Sequence, residues 1–543
     1  MPELPRTEMA YAGWGDPARR TGLPEHARTW LRRELGPLLP ASAPAAAVSA
    51  QVATGLPPSR LPESARTALV SVIGAGHLRV DDDSRIRHAA GRSYVDLVRL
   101  RAGELEGPDA VVLPGSAQEV AAVLRACAEE GVAVVPFGGG TSVVGGVAPL
   151  RGRFPAVVSL DLRRLDRVLE VDEISLLARL QPGLRGPEAE AQLGALGLTL
   201  GHFPQSYEHA TVGGYAATRS AGQASTGYGR FDELVVGAVL QTPAGELRLG
   251  RGAASAAGPD LLGLALGSEG VLGVLTEVTV KVRRRGTGHR YEGVFFRSWE
   301  QGCAALRALA QEGVAPDVTR LSDPDETRVQ LALSGGAKAR VGRALLAARG
   351  YRPGCLAVLG WDGDPAAVGP RRAAVRSVVR RHAGLSVGRS VGERWARGRY
   401  DGPYLRDDLL DAGVLVETLE TSATWSRLDA TWAAVRAAVA GALPRAVVMC
   451  HVSHLYPHGA SLYFTVLARQ DRADPVGQWQ RAKQAASAAL VATGATITHH
   501  HAVGVDHRPW MTGEVGALGV EVLRAVKDVL DPVGVLNPGK LIP

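Results

Sequence analysis

The chain has 543 residues, 46% of them hydrophobic and only 5% aromatic, with a formal net charge of +7. At roughly 100–200 residues per domain, that length predicts two to four domains of a globular protein, and no apolar run approaches the ~18–20 residues that span a bilayer. The arginines are scattered and do not alternate with aromatics, which excludes a nucleic-acid face; the modest positive excess suits an anionic ligand or an anionic membrane surface.

Residues 1–20 mix Glu3, Arg6, Glu8, Asp16 and Arg19 without an apolar core, so no secretory signal is read there. Helical patterns at 24–35 and 62–74, broken at Pro57-Pro58, predict a helical N-terminal region over 1–105, with the alanine-rich 41–50 as a linker. Beyond it come a short apolar strand at 110–113, a helix at 117–130 capped by Ser116, and a strand at 132–136. Further strands at 157–161, 168–171, 176–180, 234–242 and 273–282, with a helix at 187–196, make residues 106–285 an α+β domain. A second domain is predicted over 286–515. Strands at 291–296, 356–361, 446–451 and 461–467 alternate there with helices at 299–312, 366–382, 425–442 and 476–493. That alternation suggests a sheet covered by helices, expected to be antiparallel. Four widely spaced cysteines, Cys127, Cys303, Cys355 and Cys450, make no metal pattern and read as buried, reduced thiols of a cytoplasmic protein.

The strand at 132–136 ends in Pro136-Phe137-Gly138-Gly139-Gly140-Thr141-Ser142. Glycines there let backbone N–H groups approach an anion with no Cβ in the way, and Thr141 and Ser142 add hydroxyls. Taken alone, the cluster reads equally as a glycine-rich turn; it is neither a GxGxxG nor a Walker loop. Its company narrows the reading. Pro204-Gln205-Ser206, Thr211-Val212-Gly213-Gly214, Thr218-Arg219-Ser220-Ala221-Gly222 and Glu269-Gly270-Val271-Leu272-Gly273-Val274 follow in that order. In this set the chain resembles the FAD-binding domain of the vanillyl-alcohol-oxidase/p-cresol-methylhydroxylase flavoproteins over residues 108–282. The end, Asp531-Pro532-Val533-Gly534-Val535-Leu536-Asn537-Pro538-Gly539-Lys540, matches how many members finish. The resemblance implies a two-part FAD-binding domain of that type, to which residues 516–543 return, plus an α+β substrate (cap) domain. It implies FAD held by Pro136 to Ser142, Gln205, Ser206, Thr211, Gly214, Thr218, Arg219, Ser220, Ala221, Glu269, Gly270, Gly273 and Val274. Some members attach FAD through a histidine or cysteine near the glycine cluster; none stands in it here, so noncovalent FAD is expected.

Two histidine-rich clusters mark the second half: His451-Val452-Ser453-His454 running on to Tyr463, and Thr498-His499-His500-His501-Ala502-Val503-Gly504. On a strand, adjacent side chains point to opposite faces, so three neighbouring histidines would not converge. A polar triplet, a metal site and acid–base work all stay open from the residues alone. Flavoproteins that oxidise D-2-hydroxy acids carry HxGDGNxH and GEHGIG at these two points, where histidines and a glutamate serve a metal and the substrate. This chain lacks the GDGN turn, and His500 stands where the glutamate would be. It resembles instead the alkyldihydroxyacetonephosphate synthases, which have a tyrosine on the strand and a triple histidine in the later loop. Tyr11-Ala12-Gly13-Trp14-Gly15, Arg320-Leu321 and the stretch 417–425 extend the match.

That resemblance implies exchange of the acyl group of acyl-dihydroxyacetone phosphate for a fatty alcohol, in ether-lipid synthesis and without net redox change. It gives Tyr463 the acid–base role, with His499, His500 and His501 beside it. Arg406 would hold the phosphate, a dianion suited to a forked guanidinium, and Arg320 would support the flavin or the site; each arginine reads alternatively as a surface ion pair. No metal is expected. Ser453, His454 and His458 depart from the synthase pattern, so an FAD-linked oxidoreductase of a D-2-hydroxy acid or another alcohol is the alternative. The implied partners are lipid small molecules, with a peripheral membrane contact and a homodimer compatible with them.

Overall fold

The computed structural model describes residues 6–38, 56–104, 106–333, 344, 346–352 and 354–543; the alanine-rich 41–50 lies outside the described residues. Continuous apolar sequence builds the first sheet. β1 (Leu78–Arg79), β2 (Ala110–Val112), β3 (Val132–Phe137) and β4 (Ala156–Asp161) lie in the order β1-β2-β4-β3. β2 and β3 both run parallel to β4. Parallel strands are covered on both faces and need apolar residues at every position; Val132, Ala133, Val134 and Val135 are all fully buried. The helix Ala117–Glu129 starts at Ser116, whose hydroxyl accepts the Glu119 N–H as expected. Its Val120, Val123 and Leu124 share one core with Leu69 and Ile73 of the helix Glu63–Ile73. The chain end is stitched beside β3: Val134 donates to the Val535 carbonyl and accepts from the Asn537 N–H, both at 2.8 Å.

The next sheet is antiparallel, with β5 (Val168–Asp172), β6 (Leu177–Leu180), β8 (Val235–Thr242), β9 (Gly245–Leu249) and β10 (Val274–Lys281) in the order β5-β6-β10-β8-β9. A small ribbon pairs β7 (Leu198–Thr199) with β11 (Arg283–Arg284).

The largest sheet has seven strands: β12 (His289–Phe296), β13 (Val318–Ser322), β14 (Cys355–Asp362), β15 (Leu385–Gly388), β16 (Val414–Thr424), β17 (Val447–Tyr456) and β18 (Gly459–Arg469). Their order is β15-β12-β14-β13-β17-β18-β16, and every pairing is antiparallel, as expected. The period of two sorts side chains by face. Leu415, Leu419, Val448, Cys450, Val452, Leu462, Phe464 and Val466 point to the back, into one core with Val435 and Val439 of the helix Leu428–Ala442 and Ala486 and Leu490 of the helix Pro475–Thr493. The opposite face of β16, β17 and β18 is left for the site. All four cysteines are buried and unpaired. Among the described residues no helix is long and apolar enough to cross a membrane.

Candidate active site

The free face of the large sheet presents three cross-strand rows. His451, Tyr463 and Glu420 form one, Met449, Thr465 and Thr418 the next, and Val447, Leu467 and Val416 the third. Polarity therefore falls along the strands, from a histidine–tyrosine–carboxylate end to an aliphatic end. Above this face lies a cavity of about 2060 Å³ that also reaches Trp30, Leu31, Val329 and Leu409 at its apolar end and the whole glycine cluster at the other. Small-molecule pockets typically occupy about 300–1,000 Å³; this one has room for a dinucleotide and a chain-bearing substrate together.

The histidine triplet does not lie on a strand. Residues 496–504 form a loop without regular structure, so the alternation that would separate the three side chains does not apply. Two buried carboxylates shape the loop. Glu420 accepts the backbone N–H groups of His499 (2.6 Å), His500 (3.1 Å) and His501 (2.9 Å), and the Thr498 hydroxyl as well. Glu269 reaches in from the flavin-side domain and accepts the N–H groups of Val503 and Gly504, both at 2.8 Å. Burial works against ionising Glu420, but His500, His501, His499 and the Thr498 hydroxyl hold its carboxyl well below the usual range. Those histidines are themselves kept neutral by burial, so the aligned N–H donors are the better physical reason for its charge. Burial pushes Glu269 up to about 7, against the pull of the Val503 and Gly504 N–H groups and of Lys540.

Tyr463 is the centre of an aromatic stack. Its ring lies 5.0 Å from His451 and 6.0 Å from His500, both near parallel, and meets His501 edge-on at 5.5 Å. Burial raises its hydroxyl to about 12, with the Thr418 side chain bonded to it. Behind His451 stands Glu326, which accepts from Arg320 Nη2 at 2.6 Å and lies 3.1 Å from His451 Nδ1. Burial disfavours its charge, yet Arg320 and His451 bring Glu326 down to about 2. Arg320 Nε is buried without a partner at the cavity wall. Arg406 lines the cavity from the helix Gly402–Asp411. Part of its fork is already used: Nη1 donates to the Arg92 carbonyl at 2.6 Å, and Nη2 faces Asp407 at 3.2 Å.

At the glycine cluster the fit to a flavin can be tested on shape. A Cβ on Gly138 would sit 2.4 Å from Thr211 Oγ1, and one on Gly139 only 2.1 Å from the His209 carbonyl oxygen. Only bare backbone passes there, and residues 138–142 line the cavity together with Gln205, Ser206, Thr218 and Ser220. That set suits a pyrophosphate and a polyhydroxyl chain, and the residues fit FAD. No cysteine lines the cavity. Every cofactor residue named from the sequence lines it except Arg219. The Arg219 guanidinium turns away and donates to the Leu266 and Gly263 carbonyls at 2.9 and 2.6 Å, tying one turn to another. His499 is likewise set back behind His500. Glu420 and Glu326 carry no site signal in the sequence beyond the place of Glu420 in the stretch 417–425.

Residues 108–250 match the FAD binding domain family, and residues 288–541 match the family described as FAD linked oxidases, C-terminal domain. The chain is 34% identical over 503 residues to alkyldihydroxyacetonephosphate synthase of Dictyostelium discoideum, covering 90% of this chain and 82% of that protein. A solved structure of an alkyldihydroxyacetonephosphate synthase superposes with a TM-score of 0.82 at 30% identity, over 98% of this chain and 99% of that one. p-Cresol methylhydroxylase shares the fold at a TM-score of 0.64 and 15% identity, over 88% of this chain and 96% of that one. The architecture is thus the expected flavin-binding fold with its cap domain.

Proposed function

The chain belongs to the alkyldihydroxyacetonephosphate synthase family and is an FAD-dependent enzyme of that type, and from that premise we propose that it exchanges the acyl group of acyl-dihydroxyacetone phosphate for a fatty alcohol, a step of ether-lipid synthesis. The observation that carries this reading is the graded cavity: one continuous space joins the glycine cradle, the Tyr463–histidine end and an apolar arm. Residues 136–142 would hold FAD, and its ring would supply an electron acceptor for the reaction. It is held noncovalently, since the glycine cluster carries no histidine or cysteine. In the exchange one carbon–oxygen bond to the carboxylate breaks and one to the alcohol forms, so no net oxidation occurs.

The chain's own side chains move the protons. The carbon must lose a proton early and regain one late, which needs a positioned acid–base group. Tyr463 is neutral at working pH and serves as donor at its hydroxyl. His501, also neutral, keeps a lone pair to take a proton, with His500 beside it. Arg406 and Arg320 face the phosphorylated end, and Val416, Met449 and Leu467 receive the alkyl chain. A cytoplasmic enzyme with a peripheral membrane contact, assembling as a homodimer, completes the proposal. The exposed Leu518, Val522 and Val529, on one side of the helix Met511–Leu530, support an apolar contact of this kind.

The test is incubation with acyl-dihydroxyacetone phosphate and a labelled fatty alcohol. Labelled ether product is expected, and Tyr463→Phe should lower its rate by about 100- to 10,000-fold while the protein stays yellow and releases FAD on acid precipitation. Near-normal ether formation by Tyr463→Phe would sink the tyrosine assignment. Flavin bleached anaerobically by a D-2-hydroxy acid, with no ether formed, would favour the oxidoreductase.

A further inference from the structure

A second feature of the histidine loop goes beyond the exchange reaction and does not rest on it. β17 pairs regularly with β18 up to Val452 and again from Leu455, and the register slips between them. A bulge of this kind re-aims a side chain. Here both Ser453 and His454 come to line the cavity, where strict alternation would have sent one of them to the back. His454 then stacks on His499 with ring centres 5.2 Å apart and meets His500 edge-on at 5.6 Å. His499 and His500 bring their Nδ1 atoms to 2.9 Å from each other. One nitrogen from each of the three rings lies within 4.8 Å of the other two.

Two observations separate this cluster from a mere polar patch. His454 is only 5% exposed, yet its Nδ1 has no hydrogen-bond partner. A buried polar atom left this way is costly and calls for a ligand. An outer partner is also in place: His499 Nε2 lies 2.7 Å from the Tyr456 hydroxyl. Metal-bound imidazoles almost always give their other N–H to such a group.

We propose that His454, His499 and His500 form a binding site for one divalent transition cation of the zinc or cobalt type, with its open coordination position facing the cavity. Three imidazoles and no ring of oxygens select that class over magnesium or calcium. Three protein ligands plus an open position is the arrangement of zinc sites that contact a substrate or water. Two charged groups bear on the site from neighbouring elements. Arg230 opposes a cation, and the buried Glu420 carboxylate favours one. The inference reverses the sequence expectation of no metal. That expectation rested on the missing GDGN turn and on His500 in place of a glutamate, whereas the structural set draws its third ring from a strand 45 positions away.

The experiment is calorimetric titration of chelator-treated, FAD-loaded protein with zinc chloride. One equivalent should bind, and His454→Gln should weaken that binding by at least about 100-fold, since losses outside the ligand shell alone cost 10- to 100-fold. His458→Gln, an exposed histidine four residues on, should bind as the unaltered protein does. Zinc binding that survives His454→Gln, or the absence of a one-equivalent event, would overturn the proposal. If His454→Gln loses its flavin, cobalt(II) added to the unaltered holoenzyme decides instead. Ligand-field bands to the red of the flavin absorption support the site, and their absence refutes it.

Discussion

Replacing Glu420 by glutamine exchanges one carboxylate oxygen for an NH2 group and tests how the histidine loop is held. Oε2 accepts the His499 and His500 N–H groups, and Oε1 accepts the His501 N–H and the Thr498 hydroxyl. A glutamine amide has one oxygen. Whichever way it is placed, two of the four donors lose their acceptor and face an NH2 group. Hydrogen bonds to a charged group contribute about 1.5–3 kcal/mol each, and a buried unsatisfied donor costs about 1–3 kcal/mol. These losses overlap, so about 3–5 kcal/mol is the reasonable total for breaking a buried charge from its partners. At roughly 2–4 °C per kcal/mol for a domain of this size, the apparent Tm should drop by about 6–20 °C. The loop should also shift, and a misplacement of about 1 Å costs roughly 100-fold in rate. Differential scanning fluorimetry and kcat/KM for alcohol exchange read the two effects, with the visible flavin spectrum as a control for the cofactor. A Glu420→Gln protein within about 1 °C and threefold of the parent would refute the view that this carboxylate positions the histidines.

Gly139→Ala should abolish FAD retention, because its Cβ would lie 2.1 Å from a backbone oxygen that cannot move aside; bound flavin per protein after gel filtration measures it. Glu326, held at about 2 in the folded protein, binds fewer protons there than in the unfolded chain between about pH 4.5 and 2. Its contribution is therefore full above about pH 4.5 and is lost as pH falls toward 2. The Tm–pH profile should show that acid limb, and Glu326→Gln should flatten it. Met449→Trp fills the apolar arm beside Thr465. If four methylenes of a long alcohol are excluded, at about 0.8 kcal/mol each, kcat/KM for that alcohol should fall roughly 200-fold, with short alcohols spared; equal effects on both would refute the placement of the chain.

The sequence by itself determined what depends on local chemistry. The lack of a Cβ at Gly138, Gly139 and Gly140 is legible in one dimension, and so is the period of two along β16, β17 and β18 that sorts cavity from core. Ser116 announces its helix because a cap is a contact over three residues. Tertiary structure decided what depends on convergence. Arg219 looked like a cofactor residue by its position in a motif, yet its fork is spent on carbonyls some 45 residues away. Nothing near the histidines in sequence reveals that Glu420 gathers their N–H groups while Glu269 takes those of Val503 and Gly504. A bulge of one register step turns His454 toward them. Such features arise from long-range hydrogen bonds between buried groups, and a buried carboxylate chooses its donors by the fold that surrounds it.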